Sequence, residues 1–185
     1  MNEVGELVIT SRSDRNLMDV ERQLAYLGNA KLIMTKDNRA AVKDADVIIA
    51  AASVPQSIIK LEDFKSGAII CDIGYPKNIA YAECKRNDIM IFSGGLASLP
   101  DDFDLSFDGL PSKRILYGCF AEALILDLEE RYQRFSWGKG HITKENMDVI
   151  AKAAEKHGFG LAPFFWGDRL LKDEDIQQIR ASVNA

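Results

Sequence analysis

Long hydrophobic runs are missing from this sequence. No apolar stretch approaches the roughly 20 residues that cross a bilayer, and MNEVGEL at the start is polar and acidic where a secretory leader has a cationic start and an apolar run. The expectation is a cytoplasmic protein with no membrane span. Positive charge is in the minority, since 23 Lys and Arg against 28 Asp and Glu leave a net charge of −5, which disfavours nucleic acid as a partner. Cysteine is scarce: Cys71, Cys84 and Cys119 are odd in number and have no metal-ligand spacing, so neither a zinc site nor a disulfide framework is supported. The two histidines, His141 and His157, each stand next to a glycine in a helix-flanking segment and read as surface or cap residues. A phosphate cradle is also missing, because no G-x-G-x-x-G turn follows a strand pattern anywhere in the chain.

What is present alternates. ELVITS (Glu6–Ser11) reads as a strand, and the following segment from Asp14 to Gly28 places Leu17, Val20, Leu24 and Leu27 at helical spacing. AKLIMT (Ala30–Thr35) is a second strand, Asn38–Asp44 a short helix, and ADVIIAAAS (Ala45–Ser53) a third strand. GAIICDIG (Gly67–Gly74) is apolar without alternation, which predicts a strand buried on both faces; Gly74, Pro76 and Asn78 then break it. A short helix over Ile79–Asn87 and a fifth strand, DIMIFSGG (Asp88–Gly95), complete the pattern. SLPDDFDLSFDGLP (Ser98–Pro111) reads as an acidic surface loop. A long amphipathic segment runs from Lys113 to Phe135, a helix from Thr143 to His157, and a short helix from Lys172 to about Ser182. Trp137 and Trp166 are expected as core or interface anchors.

Strands alternating with helices predict an α/β protein, a Rossmann-like doubly wound parallel sheet with C-terminal helices. Its first strand, glycine turn and helix are absent, so ELVITS takes the place of the second strand, whose tip meets the adenosine ribose. An acidic residue there selects NAD; Ser11, Arg12 and Arg15 suit a 2′-phosphate instead, so the cofactor preference reads as NADP. These arginines also read as solvated charges at a helix entrance. The expected domains are an incomplete NADP-binding unit over 1–111 and a helical segment over 112–185. Cys119 follows Gly118 near a helix start, where the helix dipole favours a thiolate, although a lone cysteine in an apolar helix is also an ordinary packing residue.

ADVIIAAASVPQ, CDIGYPKNI, FSGG, CFAEALILDLEERYQRFSWGKGHIT and HGF, in this order and spacing, resemble the C-terminal half of the long-chain acyl-[acyl carrier protein] reductases and related predicted amino acid dehydrogenases. The resemblance runs from about Glu6 to about Gly160. It implies NADPH-dependent reduction of a fatty acyl thioester, delivered by acyl carrier protein or acyl-CoA, to an aldehyde through an acyl-cysteine. Cys119 falls on the family's nucleophile and Lys77 on its YPKN lysine, a donor to the developing oxyanion. Hydride would come from a nicotinamide held near Ser53, Gly74, Tyr75 and Gly94. The departure is at the front: the family's N-terminal substrate domain and first strand, turn and helix have no counterpart, which implies weak or absent NADP(H) binding and an exposed sheet edge that favours a homo-oligomer. Two other readings stay open, an NADP-dependent dehydrogenase of another small substrate and a catalytically silent remnant.

Overall fold

The computed structural model describes residues 4–26, 28–80, 86–101, 103, 109–138 and 141–183. The chain forms two compact units, one from Met1–Ile91 with Glu174–Ala185 and the other from Phe92–Asp173. Among the described residues, no helix is long and apolar enough to cross a membrane.

The first unit is mixed α/β. Strand β1 (Glu6–Thr10) leads through α1 (Asp14–Leu24) to β2 (Lys31–Thr35), which lies parallel to β1 in the register Glu6↔Lys31 to Thr10↔Thr35. Ser13 caps α1 by accepting from the Asn16 N–H, and Leu17 is its buried anchor. A short helix α2 (Asn38–Lys43), capped by Asp37, precedes β3 (Val47–Ala50). β3 pairs in parallel with β4 (Ile69–Asp72), and β5 (Met90–Ser93) lies on the other side of β4. The five strands read from sequence are therefore all present, but as two pieces, β1-β2 and β3-β4-β5, and not as one sheet. No described strand pairs with the second edge of β1 or of β3, so nothing joins the pieces by a hydrogen-bond ladder.

Burial corrects one expectation. Alternation along β3 and β4 puts Ile48, Ala50, Ile70 and Asp72 inside with Val42, Ile59, Phe64 and Ile79, while Val47, Ile49, Ile69 and Ile73 are exposed. The sequence predicts burial on both faces because β-branched residues occupy both; the structure covers only one. Arg86 locks the lower part of this unit. Its guanidinium donates to the Leu61 and Phe64 carbonyls at 2.9 and 2.8 Å and grips Asp88 at 2.8 and 2.5 Å. Hydrogen bonding from Arg86 holds the Asp88 carboxyl below the usual carboxylate range.

The second unit begins with the end of β5 and continues through β6 (Leu96–Ser98), β7 (Ile115–Tyr117) and α3 (Gly118–Leu128). Helix α4 (Lys144–Lys156) is capped by Thr143, and β8 (Gly160–Leu161) pairs antiparallel with β6, as β7 does on its other side. A short hairpin of β9 (Phe165–Trp166) and β10 (Arg169–Leu170) follows. Its core is Leu99, Leu116, Ala121, Ile125 and Phe159, with Ile150 and Ala153 of α4 packed against them. The amphipathic segment expected from Lys113 to Phe135 is thus a strand and then an 11-residue helix, because Ile115–Tyr117 finds a partner in β6 that local periodicity does not register. Helix α5 (Asp173–Val183) ends the described chain and belongs to the first unit but for its first residue. The helix expected over Ile79–Asn87 falls largely on residues 81–85, outside the described ones, as does Cys84. Trp166 is buried as expected, whereas Trp137 is exposed under the Arg134 guanidinium, 4.8 Å from its ring centre.

Two outcomes follow. Ile70→Ala, at a fully buried site, should cost about 2–5 kcal/mol in denaturant unfolding, whereas Ile49→Ala should stay within about 0.5 kcal/mol. Because the Asp88 carboxyl is depressed in the folded state, its stabilising contribution is complete above the unfolded value of about 3.9 and is lost as pH falls through the folded one. Asp88→Asn should therefore be less stable than the parent at neutral pH, with the gap closing in acid.

Candidate functional site

The end of β4 is built around a buried carboxyl group. Asp72 is fully buried, and its oxygens accept three hydrogen bonds: from the Gly74 N–H at 3.0 Å, the Asn78 side-chain amide at 3.2 Å and the Ile79 N–H at 2.9 Å. The turn closes over that carboxyl, with a cis peptide between Tyr75 and Pro76. Gly74 is required there sterically, since a Cβ would lie 1.9 Å from the Asn78 amide nitrogen and 3.2 Å from the Ala52 carbonyl oxygen. Ala52 precedes Ser53 at the exit of β3, so the β3 and β4 tips adjoin, as the sequence reading places them.

Lys77 turns back into this turn. Its ammonium donates to the Asp72 carbonyl at 2.8 Å. Burial pulls its pKa down, against the opposing pull of Asp72 and Cys71. Burial likewise pushes the Cys71 thiol up, with Lys77 opposing and Asp72 adding to the rise. Lys77 is thus a half-buried cation at the carboxyl end of a parallel strand, a position where perturbed groups cluster in functional sites. Tyr75 is exposed beside it.

At the tip of β1, Ser11 accepts from the Ser13 N–H at 3.2 Å, and Arg12 and Arg15 are exposed. Among the described residues neither guanidinium takes part in an ion pair, so both remain available to an anion. Exposed guanidinium groups of this kind can bind an anionic oxygen group bidentately. They do not supply a pyrophosphate cradle: the connection from β1 to α1 is Ser11-Arg12-Ser13, without a glycine and with Ser13 already committed as the cap.

The second unit forms its own corner. Leu96 of β6 faces Tyr117 of β7, which brings Gly94 and Gly95 up to the start of α3. The Gly118 N–H donates to the Gly95 carbonyl at 2.7 Å, and a Cβ on Gly118 would sit 3.2 Å from that oxygen. Cys119 is the second residue of α3, a free and exposed thiol. The sequence residues thus gather in three places: Ser11, Arg12 and Arg15 at β1; Ser53, Gly74, Tyr75 and Lys77 at the β3 and β4 tips; Gly94 and Cys119 in the second unit.

Sequence reasoning missed the partners. Asn78 and the carboxyl role of Asp72 carry no local signal beyond an acidic residue six positions before an amide. Glu122 accepts from the Ser136 hydroxyl at 2.5 Å, joining α3 to the following loop. Glu129 accepts from Lys156 at 2.6 Å and lies 2.6 Å from His157, and these two, Lys156 foremost, hold its carboxyl below the usual range. His157 caps α4, as its glycine neighbour suggests.

Gly74→Ala should displace the Asn78 amide and break its bond to Asp72, a loss of about 1–3 kcal/mol in thermal or denaturant unfolding. A full retention of stability would mean that the turn has slack.

No family model matches the chain. Over 161 residues it is 33% identical to the long-chain acyl-[acyl-carrier-protein] reductase of Synechococcus elongatus, which covers 84% of this chain and 45% of that protein. Over 151 residues it is 30% identical to aminotransferase PigE of a Serratia strain, which covers 80% of this chain and 18% of that protein. The chain spans less than half the length of either curated relative. Among solved structures, an L-alanine dehydrogenase aligns with 96% of this chain and 47% of its own, at a TM-score of 0.33 and 16% identity. The sequence likeness is thus to parts of two longer proteins, one named a reductase and the other an aminotransferase.

Proposed function

We propose that this chain carries the reductase portion of an NADPH-dependent acyl thioester reductase, with a doubly wound sheet as its cofactor-binding frame and Cys119 as nucleophile. The observation that carries the reading is the 33% identity to an acyl-[acyl-carrier-protein] reductase together with an exposed thiol on the first turn of α3. The substrate is a fatty acyl group on acyl carrier protein or coenzyme A. Cys119 Sγ attacks the acyl carbonyl, a new S–C bond forms, the donor's C–S bond breaks, and the donor thiol leaves with the proton that Cys119 gives up. The oxyanion of that step would form beside the first turn of α3, where backbone N–H groups have no acceptor within the helix. Lys77 holds the role of oxyanion donor by resemblance alone. Ser11, Arg12 and Arg15 would hold the 2′-phosphate of NADPH, and Ser53, Gly74 and Tyr75 would line its path. When bound, NADPH would supply the hydride that turns the acyl group into an aldehyde.

The test is covalent labelling read by mass spectrometry. Exposure to a long-chain acyl-CoA should leave one thioester adduct on Cys119 and none on Cys71, and Cys119→Ser should abolish it. Iodoacetamide should follow the same order near neutral pH, because Cys119 is exposed whereas Cys71 is partly buried and burial pushes its thiol pKa up. An adduct on another cysteine, or none on a folded chain, would leave Cys119 as a packing residue. Calorimetry should find NADPH binding weaker than micromolar, since Ser11, Arg12 and Arg15 offer contacts to a 2′-phosphate without a pyrophosphate cradle beside them.

A further inference from the structure

Acyl transfer to a cysteine moves a proton from the attacking thiol to the departing one, and the protonated thiol is a poor nucleophile. The second unit places a carboxyl group one helical turn from Cys119. Glu122 follows it by three residues in α3, and residues three apart are neighbours on a helix surface, with Cβ atoms about 5–6 Å apart. Cα–Cβ bonds slant toward the N-terminus of a helix, which leans Glu122 toward the turn that carries Cys119. Cys119 lies on the exposed side of α3, Ala121 and Ile125 on its buried side, and Glu122, half-buried, on the flank between them.

Glu122 is also held in place. Its carboxyl accepts from the Ser136 hydroxyl at 2.5 Å. Ser136 follows Phe135, a buried residue whose carbonyl accepts from the Asn146 side-chain amide at 3.3 Å, and the same amide donates to the His141 carbonyl at 2.8 Å. The loop after α3 is thereby tied to the first turn of α4, and it presents one hydroxyl to one carboxyl. An ionised carboxylate has about four acceptor sites, so the bond from Ser136 leaves capacity for a second donor. Among the described residues no cation pairs with Glu122. Glu129, at the other end of α3, is by contrast taken up by Lys156 and His157. Ten residues of helix set that cluster about 15 Å from Cys119 along the axis, which keeps the half-buried imidazole of His157 away from the thiol.

We propose that Glu122, oriented by Ser136, is the proton carrier for acyl transfer at Cys119, an inference that rests on the reading of Cys119 as nucleophile. As Sγ attacks the acyl carbonyl carbon, the new S–C bond forms, the carbonyl π pair moves to oxygen, and the Sγ proton passes to the Glu122 carboxylate. As the oxyanion re-forms the carbonyl, the donor's C–S bond breaks and its sulfur takes that proton from the Glu122 carboxylic acid. The carboxylate is restored, and the products are the acyl-cysteine and the free donor thiol.

The test compares two reactions of one thiol on the full chain. Glu122→Gln keeps the shape and an acceptor for Ser136 but cannot take up the proton. With palmitoyl-CoA near neutral pH, formation of the Cys119 adduct, timed by mass spectrometry, should be about tenfold or more slower in Glu122→Gln than in the parent, toward the range that general-base catalysis contributes. Alkylation by iodoacetamide should not slow, because it consumes thiolate and needs no base. The acylation deficit should narrow as the pH passes about 8.5, where thiols ionise unaided. On the unaltered chain, acylation should be slower in D2O than in H2O, because the proton moves as the S–C bond forms; this measurement stands whether or not the variant folds. The proposal is overturned if a folded Glu122→Gln acylates at the parental rate, if both reactions slow in the same proportion, as loss of a structural bond alone would make them, or if the parent acylates equally fast in D2O. With the parent's adduct on Cys119, any of these results fails the proposal alone. A parent that forms its adduct on another cysteine, or forms none, fails the reading of Cys119 and the proposal with it.

Discussion

One buried carboxyl group organises the first unit. Asp72 ends β4 with no exposure to solvent, and three donors converge on it. Those bonds fix the turn that carries Lys77 and bring Asn78 to where its carbonyl accepts from Ile58 and Ile59. Ile79 then bridges to Ile59 and is itself fully buried. A buried carboxyl with fewer partners would be costly, because each unsatisfied polar group forfeits about 1–3 kcal/mol. The turn therefore has one way to close, and the side chains at the β3 and β4 tips take their positions from it.

The same turn explains why Gly74 and Lys77 are found where they are. The glycine leaves room for the Asn78 amide; the lysine, held to the Asp72 carbonyl, is desolvated enough to lose part of its basicity. Packing and chemistry here are not separable, since the residues that keep the carboxyl satisfied also aim the ammonium. In the second unit the equivalent constraint is the Gly118 to Gly95 hydrogen bond, which ties the start of α3 to the β5–β6 connection and sets Cys119 at an exposed first turn.

Hydrogen-bonded ladders divide the first unit's described strands into two sheets. A parallel strand in the interior of a sheet satisfies both edges, whereas β1 and β3 each satisfy one. Apolar side chains on the uncovered face then stand in water, as Val47 and Ile49 do. Exposed β-branched residues on a strand with a bare edge are an association hazard in any isolated chain.

The sequence by itself determined the alternation of strand and helix through β5, the helix start at Thr143, the break after Gly74 and the helix that begins near Cys119; for α1 it points to Asp14 as the cap, whereas the structure uses Ser13. These are local properties, fixed by side-chain periodicity and by which residues satisfy a helix end. That no G-x-G-x-x-G turn follows a strand pattern in these residues is read from the sequence directly. What only the tertiary structure decided is non-local. Ile115–Tyr117 became a strand because β6 was there to pair with it, and Val47 and Ile49 are exposed because nothing described lies over them. The three donors on Asp72 come from positions two to seven residues on, and the Glu129 cluster from two helices 27 and 28 residues apart in sequence. Periodicity reports which face of an element is apolar, but whether that face is covered depends on the rest of the chain reaching it.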